Sequence, residues 1–208
     1  MLTYDGKVVA ITGARKGIGK ALAQHFLDQG ATVLGLSRQP GSLEHARYRH
    51  YVCDVGDAKA VRATFQTIGR ESALHILINN SAVLTSQHSF LLPATSAEEM
   101  LKTNLLGPFL VSREAAKLMK RAPGGRIISI GSMAASLEPI GDSIYAACKA
   151  GLETLSNVLA KEFSGFGITC NTLAVTAIET DMLASLPRDK IDAIIASLPI
   201  PRYAREDD

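Results

Sequence analysis

The stretch Thr12-Gly13-Ala14-Arg15-Lys16-Gly17-Ile18-Gly19 follows a short apolar run and leads directly into a segment of helical periodicity. Glycine tolerates the positive φ of a tight turn and has no Cβ to obstruct an approaching phosphate. The free N–H groups at the start of the following helix attract anions. The stretch therefore predicts a strand-turn-helix unit that cradles a pyrophosphate group, although a glycine-rich turn without a ligand is the alternative interpretation.

A nucleotide triphosphatase loop is the nearest chemical alternative, because residues 14–20 almost match its pattern. The match fails at both ends. Ala14 stands where that loop opens with glycine, and Ala21 stands where it needs a hydroxyl for Mg²⁺. The glycine spacing is instead a variant of the dinucleotide-binding motif. The predicted cofactor contacts of this turn are Gly13, Arg15, Lys16, Gly17, Ile18 and Gly19.

The end of the second predicted strand indicates which dinucleotide is bound. A cofactor with a free ribose 2′-hydroxyl is commonly met by Asp or Glu about 20 residues beyond the glycines. This chain has Ser37-Arg38 there, and Arg15 and Lys16 add positive charge nearby. A guanidinium can pair with a 2′-phosphate through two hydrogen bonds. We therefore expect NADP(H), although each cation alone could be an ordinary exposed charge.

Short apolar runs alternate with longer segments of helical period along the chain. This alternation is typical of a parallel sheet covered by helices on both faces. The sequence therefore predicts an α/β fold with a Rossmann-like, doubly wound parallel sheet, as a single domain over residues 1–208. The predicted strands occupy residues 7–12, 32–37, 48–53, 75–79, 126–130 and 168–173.

Two helices carry further polar residues of interest. Ser96 with Glu99 predicts a capping-box start for a helix that runs past Asn104 and is disturbed at Gly107-Pro108. A later helix is predicted to carry Tyr145 and Lys149. Residues 180–199, here called the lid segment, contain Leu-Pro and Ile-Pro joints. We expect the lid segment to cover the substrate, although an ordinary surface helix is the alternative.

The composition excludes several other classes of protein. The chain has 208 residues, 47% of them hydrophobic and 20% charged, as in water-soluble globular domains. The net charge of +2, without a long Lys/Arg run, argues against nucleic-acid binding. The chain has no apolar stretch near the roughly 18 residues that cross a bilayer, and no signal-peptide pattern. Its three cysteines are widely spaced. We therefore expect a cytoplasmic protein without a metal site or a membrane partner.

Tyr145 and Lys149 are four residues apart on one helix, so both side chains project from the same face. A phenol has a pKa near 10 and exchanges protons poorly at neutral pH unless a neighbouring cation stabilises the phenolate. Lys149 can supply that cation. Ser132 follows the strand at residues 126–130, at the sheet edge where parallel folds bind ligands. Each residue alone has a common structural explanation, so the combination carries the interpretation.

These motifs, in this order, resemble a classical short-chain dehydrogenase/reductase over essentially the whole chain. The resemblance implies a catalytic tetrad that consists of Asn104, Ser132, Tyr145 and Lys149. It also implies cofactor contacts outside the glycine turn, at Asp54, Val55, Asn80, Tyr145, Lys149, Ile178 and Thr180.

The resemblance assigns a role to each member of the tetrad. Ser132 is expected to hydrogen-bond the substrate carbonyl oxygen while Tyr145 delivers a proton to it and hydride arrives from NADPH. Lys149 is expected to lower the tyrosine pKa and to bind the nicotinamide ribose, and Asn104 to hold a relay water. Placed donors stabilise negative charge where it develops, which gives these roles a physical reason.

Within the family, residues 178–182 and 200–202 resemble 3-oxoacyl-(acyl-carrier-protein) reductases. The predicted function is NADPH-dependent reduction of a ketone, possibly a 3-oxoacyl thioester, to an alcohol. Two alternatives stay open: a dehydrogenase that acts on a sugar or small alcohol, and an NADP-binding regulatory or scaffold protein without turnover. Among the departures from the family pattern are Ser81-Ala82 for Ala-Gly and Val175-Thr176 for Pro-Gly.

The expected partners are a small-molecule carbonyl or alcohol, possibly bound to an acyl carrier, and a second copy of the chain in a homodimer or homotetramer. Candidate cations for an acidic carrier are Lys117, Lys120, Arg121 and Arg126, although a helix dipole also favours cations there. The resemblance further implies a helix and a seventh strand beyond Asp208, which this chain is expected to lack. Residues 205–208 would then approach that helix.

Overall fold

The computed structural model describes residues 3–121, 124–184, 186 and 188–205. Its six strands form one sheet, and every described strand pair is parallel. In chain order the strands are β1 Val8–Thr12, β2 Thr32–Ser37, β3 Tyr48–Val52, β4 Ile76–Asn79, β5 Arg126–Ile130 and β6 Thr169–Leu173. All six predicted strands are confirmed, and some begin or end one residue inside the predicted range.

The strand order is β3-β2-β1-β4-β5-β6, which confirms the Rossmann-like parallel sheet. The chain winds outward from β1 in one direction to β3 and then returns to β4 on the other side of β1. Ligands of such sheets bind at the carboxyl ends of the strands, where the winding direction reverses. In this protein that point lies between β1 and β4.

Apolar side chains cover both faces of the sheet, and β1 shows how the sequence achieves this. Val9 and Ile11 pack in one cluster with Phe26, whereas Ala10 packs in a second cluster with Phe65. Successive strand residues point to opposite faces, so one buried strand supplies both layers. Helices therefore lie on both sides of the sheet, as predicted.

One of the helices between the strands begins differently from the sequence expectation. In chain order the α-helices are α1 Gly17–Asp28, α2 Ala58–Glu71, α3 Ala94–Leu101, α4 Gly107–Met119, α5 Ala134–Leu137, α6 Ser143–Phe163, α7 Asp181–Ala184 and α8 Arg188–Ser197. The predicted capping box is wrong. Helix α3 begins directly after Pro93, whose extended backbone is the N-cap, so Ser96 lies inside its first turn.

The segment Lys102–Leu106 is a π-helical turn that joins α3 to α4. Pro108, in the first turn of α4, has no N–H to donate to a carbonyl four residues earlier, and this loss favours a local change of helical winding. The predicted disturbance is therefore present, but it lies in the turn before Gly107-Pro108 rather than at that pair. The π-helical turn carries Asn104, which is buried.

The lid segment leaves β6 and contains α7 and α8, after which the chain returns to the sheet end. There the Ala204 N–H donates to the Ala177 oxygen at 2.9 Å. Of the predicted helix approach, residues 206–208 lie outside the described residues. Among the helices that the structure describes, none is long and apolar enough to span a bilayer.

Candidate active site

The glycine turn after β1 is held tightly against the start of α1. Gly13 has φ +70°, and a Cβ placed on Gly19 would lie 2.3 Å from the Gly13 oxygen. The Asn80 side chain donates to the Thr12 oxygen at 2.9 Å, and Thr12 Oγ1 accepts the Asn80 N–H, also at 2.9 Å. The turn is thus tied to the end of β4, and Gly19 serves close packing within it.

Two of the cations expected near a 2′-phosphate are engaged in exposed ion pairs. Lys16 Nζ lies 3.0 Å from Asp181 at the start of α7. Arg38 lies 2.8 Å from Glu99 in α3. Exposed pairs of this kind contribute about 0–1 kcal/mol and exchange partners at little cost. Both cations can therefore be recruited by an anion in the cleft.

The hydroxyl of Ser37 is used within the protein. It donates to the Gln39 oxygen at 2.6 Å and lies 2.9 Å from His50 Nε2. His50 Nδ1 in turn lies 2.8 Å from the Tyr48 hydroxyl. These contacts shape the turn after β2 and engage the Ser37 hydroxyl. Of the Ser37-Arg38 pair, only Arg38 then has a polar group directed outward.

One cleft of about 960 Å³ joins the glycine turn, the turn after β2 and the lid segment. Most of the site residues predicted from the sequence line it. They are Gly13, Arg15, Lys16, Gly17, Ile18, Ser37, Arg38, Asp54, Val55, Asn80, Ser132, Tyr145, Lys149, Ile178 and Thr180. Gly19 and Asn104 do not line the cleft, because Gly19 packs behind the turn and Asn104 is buried beside it.

Asn104 acts on the cleft through Val83. Its side-chain Oδ1 accepts the Val83 N–H at 2.8 Å, and its Nδ2 donates to the Val83 oxygen, also at 2.8 Å. Val83 itself lines the cleft. The amide of Asn104 is thus a positioning group for the loop after β4, and its expected role with a relay water stays a prediction.

Ser132, Tyr145 and Lys149 meet at the carboxyl end of β5. Ser132 follows that strand, and the proximity of its hydroxyl lowers the pKa of the Tyr145 phenol. Lys149 Nζ lies 5.7 Å from the centroid of the Tyr145 ring and donates to the Ile130 oxygen at 2.6 Å. Lys149 is only 3% exposed. One face of α6 and the end of β5 therefore bring the three polar groups together.

Burial shifts the pKa values of both Tyr145 and Lys149. Burial raises the pKa of Tyr145, the hydrogen bond with Ser132 lowers it, and the nearby charge of Asp142 raises it again. Burial also lowers the pKa of Lys149 to about 8. The ammonium of Lys149 donates to the Ile130 carbonyl, and its expected lowering of the tyrosine pKa stays a prediction. A raised pKa favours the protonated phenol of Tyr145.

The family model for short chain dehydrogenases matches residues 7–191. The chain belongs to this family. The similarity extends to relatives with assigned activities. The chain is 31% identical over 210 residues to 3-oxoacyl-(acyl-carrier-protein) reductase FabG of Vibrio harveyi, which covers 97% of this chain and 85% of the relative. It is 32% identical over 218 residues to D-threitol dehydrogenase of Mycolicibacterium smegmatis, at 98% and 83% coverage.

Solved structures of the same fold include dehydrogenases of sugars. A putative NAD(P)-dependent gluconate 5-dehydrogenase from Beutenbergia cavernae, with bound NADP, superposes with a TM-score of 0.89 at 26% identity and covers 99% of this short-chain dehydrogenase and 86% of that chain. Aldohexose dehydrogenase of Thermoplasma acidophilum gives a TM-score of 0.87 at 26% identity, with coverages of 98% and 83%. Membership of this oxidoreductase family thus leaves open which substrate the cleft accepts.

The basic residues considered for carrier docking lie away from the cleft of this short-chain dehydrogenase. Lys117 and Arg121 line a groove between α2 and α4, and Lys117 Nζ is 2.7 Å from Glu114. Arg126 opens β5, and Lys120 is the C-cap of α4. The C-terminal end of α4 and the start of β5 lie at the amino ends of the strands, whereas the cleft lies at their carboxyl ends. Attraction to the helix C-terminus accounts for cations there.

Sequence reasoning missed a charged cluster at the lid segment. Lys190 Nζ in α8 donates to Asp142 at 2.7 Å, to the Ile140 oxygen at 3.0 Å and to the Ser86 hydroxyl. The carboxylate of Asp142 is 6% exposed. Only the fold brings these distant positions together, so no spacing in the sequence indicates the cluster. It anchors the lid segment of this short-chain dehydrogenase beside Tyr145.

Proposed function

We propose that the protein is an NADPH-dependent carbonyl reductase. The supporting observation is the meeting of Ser132, Tyr145 and Lys149 in the same cleft as the glycine turn and Arg38. Similarity to an acyl-carrier reductase supports the carbonyl substrate. The bound NADP of the gluconate 5-dehydrogenase relative supports the phosphorylated cofactor.

The residues present fit a dinucleotide. Gly13 and Gly19 leave no room for a Cβ between the turn and Asn80, and the free N–H groups at the start of the following helix attract a pyrophosphate. Lys16 and Arg38 are held only by exposed partners and are available to a 2′-phosphate. Asp54, Val55 and Asn80 are the proposed neighbours of the adenosine half. Ile178 and Thr180 are the proposed neighbours of the nicotinamide end.

Bound NADPH would supply the hydride for the carbonyl carbon. The electron pair of the C=O π bond moves to oxygen, and the Tyr145 phenol transfers its proton there, so that the product is a neutral alcohol. The raised tyrosine pKa keeps that proton available at neutral pH. Ser132 donates a hydrogen bond to the developing oxyanion, and Lys149 supplies positive charge beside the ring.

The Tyr145→Phe variant tests the proposed reaction. It removes the proton donor but keeps the ring, so we expect turnover of carbonyl substrates to fall by at least about a hundredfold, the lower bound for a general acid. NADPH binding, followed by quenching or enhancement of its fluorescence, should stay within about twofold of the parent. Tyr4→Phe is the matched control, because Tyr4 packs against Phe26 outside the cleft. Retained activity in Tyr145→Phe contradicts the proposal.

Two other functions make different predictions in the same assays. A dehydrogenase of sugars or polyols, favoured by similarity to D-threitol dehydrogenase, would oxidise D-threitol with NADP⁺ faster than it reduces any carbonyl. A binding protein of the same fold would bind NADPH without turnover of either class. NADPH consumption on a mixed panel of ketones, thioesters and keto sugars separates the three.

We further propose that the chain assembles with a second copy of itself. Leu101, Leu106 and Val158 are exposed by 43%, 42% and 44%, and they belong to α3, the π-helical turn and α6, which contact one another. Large exposed apolar side chains on adjoining elements are typical of contact surfaces. Light scattering of the purified protein tests this, and replacement of Val158 by Lys should shift the mass towards that of one chain.

A further inference from the structure

We propose that the carbonyl substrate carries an uncharged apolar chain, not a hydroxylated or carboxylate-bearing one, and that this chain lies between α5 and the lid segment. This inference rests on the proposed function and names the substrate class of the same cleft. It separates the chain from relatives whose names indicate sugars, although the fold is shared with both kinds of relative.

The first support is the chemistry of the cleft wall beyond Tyr145. Two segments form this wall: the turn that links α5 to α6, and the lid segment. Their side chains that line the cleft are mostly apolar, and the largest are Leu137, Ile140, Met182, Leu183, Leu186 and Ile194. Leu137 is 55% exposed and Ile140 is 87% exposed. A bound chain can therefore remove apolar surface from water on both sides of the cleft.

The second support is that the charged groups of this wall are already paired. An ammonium group has three N–H donors. Lys190 places all three on partners, namely Asp142, the Ile140 oxygen and the Ser86 hydroxyl. A substrate carboxylate that sought Lys190 would have to displace Asp142, which is itself almost fully buried. Displacement would leave a buried carboxylate without its cation, and that arrangement is costly.

The remaining hydroxyl groups of this wall also have partners. Thr176 Oγ1 lies 3.0 Å from the Met133 sulfur, and Thr180 Oγ1 accepts the Leu183 N–H at 3.4 Å. Apolar side chains outnumber the polar ones along this wall, so most hydroxyl groups of a sugar or polyol would face side chains that offer no donor or acceptor. Burial of unpaired hydroxyls is unfavourable, whereas burial of a methylene chain is favourable.

A homologous series of neutral ketoesters measures this preference directly. The probes are ethyl 3-oxobutanoate, 3-oxopentanoate, 3-oxohexanoate and 3-oxoheptanoate, each assayed by NADPH consumption with the full chain. Full burial of one methylene is worth about 0.8 kcal/mol, which is about fourfold in kcat/KM. We expect kcat/KM to rise along the series by up to about fourfold per step. Keto sugars and 5-ketogluconate should react far more slowly than the shortest ester.

A variant of the wall tests whether the named surface causes the rise. Leu137→Asn should flatten the dependence on chain length, so that kcat/KM falls more for the longest ester than for the shortest, because an amide gains nothing from contact with added methylenes. Leu137 is 55% exposed, so the fold should be kept. Phe166→Asn is the matched control, since Phe166 is 52% exposed and lies beyond the far end of α6.

The outcomes are distinguishable. A rise along the series that Leu137→Asn removes and Phe166→Asn keeps supports the inference. A flat series, a rise unchanged by Leu137→Asn, or preferred turnover of keto sugars overturns it while the proposed carbonyl reduction stands. If no carbonyl compound is reduced although NADPH binds, both the proposed function and this inference fail.

Discussion

Replacement of Gly19 by Ala tests the geometry on which cofactor binding depends. The added Cβ would lie 2.3 Å from the Gly13 oxygen and 2.5 Å from Asn80 Nδ2. The first of these neighbours is a backbone atom, so no side-chain rotation can relieve the contact. Either α1 must move away from the turn, or the turn must open towards the cleft.

The size of the effect follows from the cost of overpacking. Inserting one methyl group into a filled space costs about 1–3 kcal/mol, equivalent to roughly a 5- to 150-fold change in an equilibrium constant. The strain falls within the turn that would hold the pyrophosphate. We therefore expect Gly19→Ala to weaken NADPH binding by about one order of magnitude or more and to lower the melting temperature.

Fluorescence titration with NADPH and thermal denaturation measure the two effects separately. Gly165→Ala is the control, because nothing lies within 4 Å of a Cβ at Gly165. This control should leave both quantities nearly unchanged. Parental NADPH affinity and stability in Gly19→Ala would refute the close packing of the turn. Loss of stability with parental affinity would refute the link between the turn and the cofactor.

Three further results are expected. Glu99→Gln frees Arg38, so NADPH should bind up to about fivefold more tightly, with NADH unaffected in parallel titrations; a change in NADH affinity counts against the assignment. Burial lowers the Lys149 pKa from 10.5 to about 8, so the charged form destabilises the fold below that pH. Lys149→Met should therefore raise the free energy of unfolding in urea by up to about 3 kcal/mol near pH 7 and by less at higher pH, whereas the control Lys161→Met should not. Because the Tyr145 pKa is raised, carbonyl reduction should be constant up to about pH 7 and should fall near pH 8 as Lys149 loses its charge; initial rates across this pH range measure this.

The strands and the glycine turn were predictable because their signals are local. A buried parallel strand reads as a short apolar run, and β1 and β5 match such runs closely. The four-residue spacing of Tyr145 and Lys149 required only that their helix form, as α6 does. Helix starts were less predictable, since Pro93 displaced the expected cap at Ser96.

Contacts between distant segments could not be predicted in this way. Nothing in the local sequence shows that both amide atoms of Asn104 form hydrogen bonds with the Val83 backbone, or that Lys190 pairs with Asp142. The burial of Tyr145 and the carbonyl partner of Lys149 likewise become visible only in the folded chain. Tertiary packing thus decided the details of the site after local patterns had decided its place.

The ion pair between Lys16 and Asp181 has a thermodynamic consequence for the order of events. An anion that binds Lys16 at the glycine turn must displace the first residue of α7, and so it loosens the lid segment beside the cleft. By reciprocity, a ligand that stabilises the lid segment against the cleft favours the original ion pair and lowers the affinity of Lys16 for the anion. In the proposed enzyme, this exposed pair would couple cofactor binding to closure of the lid segment by no more than about 1 kcal/mol.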